Sequence, residues 1–241
     1  MLKLILFLFS SLDSNILYAD DSLHGPFTGV LSESVVDGQV NYSTINNNPI
    51  FFDYLKALET KPSFKNKNQE LAFWINAYNA LAIKGILDKR SPKTLLGRYR
   101  YFKKAKYNVG DKVINLYDLE RKVIIPLGEP RIHFAINCAS TSCPKIIPEA
   151  YTEEKLDDQL EQVTKDFIND TSRNSFDSEY KIATISKIFD WFKKDFVNHS
   201  GSVQKYLAEY VSDPDIASDL REDKYRIHYA KYDWNLNGTK P

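Results

Sequence analysis

The stretch from about Gln69 to Lys89 constrains this chain most. Leu71, Trp74, Ile75, Tyr78, Leu81, Ala82 and Ile86 recur at three- and four-residue steps, which puts a broad apolar stripe on a long helix. Asn76 and Asn79 fall on the flank of that stripe. A buried amide must be hydrogen-bonded, so these two either fasten a neighbouring loop or sit exposed; the spacing allows both.

Shorter elements surround the helix. Val30, Val35, Val36, Val40 and Tyr42 flank Asp37-Gly38, a hairpin turn signal. Residues 20–28 are polar and read as loose chain, and 61–68 read as a basic connector. Pro49 opens a helix carrying Phe51, Tyr54 and Leu58. Ser91-Pro92 starts another that ends by Gly97. A second hairpin is predicted over 101–116 around Gly110-Asp111. A helix follows over 117–125, capped by Asn115, with Asp118 and Glu120 in the first turn where the helix dipole favours them. Beyond Thr152, Leu156, Leu160, Val163 and Phe167 share one helical face. A strand is predicted over 180–185, then helices holding Phe189, Trp191, Phe192 and Phe196 and, further on, Tyr206 and Tyr210. Tyr225, Ile227 and Tyr229 mark an edge strand. Without repeats or a Pro/Gly/Ser-rich linker, this order predicts one α+β domain over 20–241, an antiparallel sheet of short strands and hairpins covered by amphipathic helices.

Residues 1–19 resemble a secretory signal. Lys3 precedes the apolar run Leu4 to Phe9, which is too short to span a bilayer, and Leu17 and Ala19 suit cleavage. A buried N-terminal helix or a retained anchor are the other readings. The signal predicts an exported, periplasmic protein in an oxidising setting, with membrane contact only through this segment. The formal net charge is zero, so nothing in it favours nucleic acid as a partner.

Chemistry concentrates in Arg131 to Pro144, RIHFAINCASTSCP, which holds both cysteines and one of the 4 histidines. Read as a strand, Ile132, Phe134 and Ile136 enter the core, while Arg131, His133, Ala135 and Asn137 share a polar face. Ala139 to Ser142 then form a turn. Three readings fit. Cys138 and Cys143 can form a structural disulfide, constraining the unfolded chain by about 2 kcal/mol. Alternatively, one cysteine is a nucleophile activated by His133, with Asn137 or Asn76 orienting the ring and turn N–H groups serving an oxyanion. The protein would then be a thiol-dependent hydrolase or acyl transferase acting on a small molecule or peptide. In the third reading the segment lines a ligand cleft without turnover, with Arg131, Asn76 and Asn79 as binding residues alongside His133 and Asn137. Cys-x4-Cys without a second pair is not a zinc spacing, and no metal or cofactor is expected.

Ala72 to Leu81 (AFWINAYNAL), Arg131 to Ser140 with Ser142-Cys143-Pro144, and Ser186 to Phe192 (SKIFDWF) together resemble the family called domain of unknown function 547. The resemblance runs from about Val40 to Tyr210. It supports the location of the site and supplies no reaction. The family accompanies glutaredoxin-like modules in some eukaryotic architectures, which implies thiol chemistry as an expectation only.

Overall fold

The computed structural model describes residues 17–18 and 21–240; most of the signal-like segment lies outside them. The helix Lys67–Leu87 runs through the middle of the molecule, and nearly every residue from Leu71 to Ile86 is buried. A helix that is apolar on all sides has to be enclosed, and this one is. The Asn66 side chain caps its start by accepting the Gln69 N–H at 3.0 Å. Asn48, Asn115, Ser202 and Asp213 cap other helices in the same way.

The class is α+β. The strands divide among four small sheets, three of which contain a parallel pair. Val35–Val36 and Gln39–Asn41 form the first hairpin; Asp37 and Gly38 both have positive φ, as a two-residue turn of this hand requires. Tyr107–Val109 and Lys112–Ile114 form the second. Arg226–Tyr229 joins Ile182–Ile185 in parallel as the edge strand of the tail. Leu17–Tyr18 pairs with Pro62–Ser63, inside the expected connector.

Three expectations change. The chain around 20–28 is not loose: Asp21–Ser34 is a helix whose Phe27 stacks on Tyr54 at 4.8 Å. Tyr101 belongs to a helical segment, because Leu95–Arg98 continues as a π-helix over Tyr99–Lys104. Ile132–Asn137 is not a strand. Ile132–Ala135 is one helical turn, and the chain becomes extended only at Ile136. The Arg131 N–H and guanidinium both bond to Glu129, which folds the chain back before Ile132. The turn thereby seats Phe134 against Phe167, Phe189, Phe196 and Tyr206. Tertiary packing overrides the β-propensity of Ile132 and Ile136. It also removes the predicted polar face, since His133, Ala135 and Asn137 are all buried.

Phe134 is fully enclosed in that aromatic cluster. Phe134→Ala should therefore cost about 3–5 kcal/mol, read from urea unfolding; a loss below about 1 kcal/mol would place the residue outside the main core.

Candidate functional site

Asparagine amides build the cysteine turn. Asn79 of the central helix donates to the Ala135 carbonyl at 3.0 Å and accepts the Asn137 N–H at 2.8 Å. Asn137 in turn donates to the Pro144 carbonyl at 2.6 Å, and its Oδ1 accepts the Ala139 N–H at 2.7 Å and the Asn237 amide at 3.1 Å. These bonds hold Ala139 at a φ of 60°, a left-handed conformation that a non-glycine residue adopts only when held there. One helical turn earlier, Asn76 grips both backbone groups of Tyr151 at 2.7 and 2.9 Å. Asn76 and Asn79 are thus clasps on neighbouring loops.

Cys138 and Cys143 form a disulfide with their Cα atoms 6.1 Å apart. Cys143 is buried and its Sγ accepts the Cys138 N–H at 2.8 Å. Cys138 is half-buried; its Sγ lies 3.0 Å from Ser140 Oγ and 3.2 Å from Tyr232 Oη. Most of the turn's N–H groups, expected to serve an oxyanion, are already committed. The N–H groups of Cys138, Ala139, Thr141, Ser142 and Cys143 all have acceptors within the protein.

Both cysteines line a cleft of about 370 Å³. Tyr78 of the central helix, Ile136 and Phe192 contribute to its apolar lining. Trp191, Tyr232 and Trp234 pack on one another in its wall, with ring centroids 4.6–5.7 Å apart. Tyr99, Phe102 and Lys103 reach it from one π-helical segment, and Glu120 and Arg121 from another, Glu120–Ile124. Insertions of this kind redirect side chains and are frequent at functional sites.

Two titratable groups in the lining stand out. His133 is buried and stacked on Phe192 at 3.9 Å. Its Nε2 lies 2.9 Å from Asp195 Oδ2, and its Nδ1 has no partner. Burial lowers its pKa, with Arg121 adding to the effect and Asp195 opposing it, so the ring is neutral. The carboxylate can only accept, so Nε2 carries the proton and Nδ1 presents a lone pair. Glu120 is half-buried and, among the described residues, its carboxyl group makes no hydrogen bond or ion pair. Burial pushes its pKa up to about 7, with Asp195 adding to the effect and Arg121 offsetting part of it.

The structure therefore brings His133, Cys138 and Cys143 to one cleft, although His133 bonds to Asp195 and to neither sulfur. Asn137 stands behind the turn as a clasp. Arg131 is engaged by Glu129, Asp157 and Glu161 outside the cleft. Sequence reasoning missed Asp195, which no motif marked, and assigned Glu120 to a helix dipole. The apolar neighbours Leu116, Leu119 and Ile124 were the available sign that this segment packs inward. Among the described residues, no group of three His, Cys, Asp or Glu side chains is placed to hold a metal ion.

A half-wrapped aromatic cleft beside a stapled turn, on an α+β frame, defines the class of the molecule. Residues 62–168 match the family described as Protein of unknown function, DUF547, so this part of the chain is a DUF547 domain. The match takes in the central helix, Glu120 and the cysteine turn; Asp195, Trp191, Tyr232 and Trp234 lie beyond it. No curated protein and no solved structure matches the chain.

Glu120 has a pH signature. Its folded pKa lies above the ordinary carboxylate value, so its stabilising contribution is complete below pH 4.5 and is lost as the pH rises through about 7. His133 has the opposite sign: its contribution is present above about pH 6.5 and is lost on acidification. Glu120→Gln should thus gain stability relative to wild type as the pH rises from 4.5 to about 7, measured by urea unfolding at a series of pH values. Parallel profiles for the two proteins would contradict the burial of this carboxylate.

Proposed function

We propose that the protein binds a small organic molecule in the aromatic cleft, as an exported binding domain stapled by the Cys138–Cys143 disulfide. One observation carries this reading. The cleft is lined by Glu120, whose carboxyl group makes no hydrogen bond or ion pair among the described residues, and by His133, whose buried Nδ1 has no partner, in a wall of aromatic rings. Unfilled polar groups in an apolar cavity are costly, and a ligand that supplies an O–H or N–H removes that cost. The favoured ligand is therefore an apolar, ring-sized body carrying a hydroxyl or amine, a fit for the cleft's volume. Export is supported by the signal-like N-terminus and by the paired cysteines.

A thiol-dependent hydrolase or acyl transferase is the second reading. The shared position of His133 and both sulfurs favours it, and so does the greater exposure of Cys138. It requires a reductant to open the disulfide with two electrons and two protons. The committed N–H groups of the turn weigh against it.

Trp191 and Trp234, two of the 3 tryptophans, line the cleft, so fluorescence reports on occupancy. Titration with para-ethylphenol should give saturable quenching. Para-ethyltoluene, of the same shape without the hydroxyl, should bind about tenfold more weakly, and Glu120→Ala should erase the difference. Equal binding of both probes, or no saturable response, would remove the binding reading. In parallel, the native oxidised protein should not react with iodoacetamide. Rapid alkylation of Cys138 without reductant would favour the thiol enzyme instead.

A further inference from the structure

The mouth of the cleft has a composition that ligand binding does not require. Leu95 is 80% exposed, Leu96 57% and Tyr99 56%, with Trp191 and Tyr117 at 39% and 38%. Four of these five line the cleft, so they belong to one continuous face, and Leu96 adjoins them on the same helical segment. Large side chains scattered singly on a surface carry no meaning; gathered on one rim they mark a contact site.

The same segment is basic. Along Leu95–Lys104, Leu95, Tyr99 and Lys103 follow one another at four-residue steps, and Leu96, Arg100 and Lys104 form the adjacent row. All six are exposed. Each row begins apolar and ends in a cation. Among the described residues, Arg98, Arg100, Lys103, Lys104 and Lys106 form no ion pair. Elsewhere about half of the described Lys and Arg side chains are ion-paired, Arg131 with three carboxylates; here the five unpaired ones fall together within residues 98–106. Some of the rim charges rest on rings instead, Arg98 over Trp234 and Lys103 over Tyr117.

We propose that this face seats the protein on an anionic lipid bilayer. Exposed leucines enter the acyl boundary, tyrosine and tryptophan lie at headgroup level, and unpaired Arg and Lys side chains meet lipid phosphates. This contact is separate from any made by the N-terminal segment, and it does not depend on which molecule fills the cleft. No described helix is long and apolar enough to cross a membrane; the contact proposed is peripheral. It orients the cleft mouth toward the lipid.

The test is co-sedimentation of the full chain with vesicles. Binding to phosphatidylcholine mixed with phosphatidylglycerol should exceed binding to phosphatidylcholine alone and should fall as salt is raised. Arg100→Gln with Lys104→Gln should lower partitioning by about 25-fold, each cation near an anionic surface being worth about fivefold. Leu95→Glu with Leu96→Glu should abolish it, with thermal melting showing that both double variants remain folded. Binding insensitive to both double variants would assign it to the N-terminal segment and overturn the proposal, as would equal binding to neutral vesicles or none at all. A dimer in sedimentation equilibrium that Leu95→Glu with Leu96→Glu dissociates would instead make this face a contact between copies of the chain, and would equally overturn it.

Discussion

Three buried asparagine side chains hold the wall of the cleft in place. Asn79 spans the carbonyl of Ala135 and the N–H of Asn137, Asn137 spans the turn to Pro144, and Asn76 grips Tyr151. Between Ile136 and Tyr151 the backbone has neither helix nor regular strand. Its buried polar groups still need partners, and amides on a rigid helix supply them. A side-chain amide offers donor and acceptor together, so one asparagine can pair both a carbonyl and an N–H of the same loop. Removing one leaves buried groups unsatisfied, which costs more than the bond itself returns.

The disulfide closes a turn that this network already shapes. Its two sulfurs differ in surroundings, Cys143 sealed and Cys138 touching Ser140 and Tyr232 at the cleft. The cleft is thus rigid at its floor, where the central helix and the cysteine turn meet. At its rim the π-helical segments place Glu120 on one side and Tyr99 and Phe102 on the other. Most N–H groups of the turn have acceptors within the protein, whereas His133 Nδ1 and the Glu120 carboxyl group make no hydrogen bond among the described residues.

Much of the architecture was legible in the sequence. The spacing of Leu71 to Ile86 marked the central helix, Asp37-Gly38 and Gly110-Asp111 marked both hairpins, and Asn115 marked a cap. These signals are local. The failures are where distant contacts decide. Ile132 to Asn137 alternates like a strand, yet Glu129 and the aromatic cluster around Phe134 turn it into helix. The cysteine segment stood out in the sequence and lines the cleft, whereas its partners Asp195, Tyr232 and Trp234 come from 62 to 94 residues away in the hydrogen-bond pattern or from the far end of the chain. No spacing rule reaches that far.

Amide hydrogen exchange at the cysteine turn tests the central claim most directly. If asparagine clasps hold this loop, the amides of Asn137, Ala139 and Tyr151 should exchange as slowly as those of the central helix, and should stay protected after the disulfide is reduced. Exchange at the rate of an exposed loop, in the oxidised protein or on reduction alone, would show that the clasps do not hold the cleft wall.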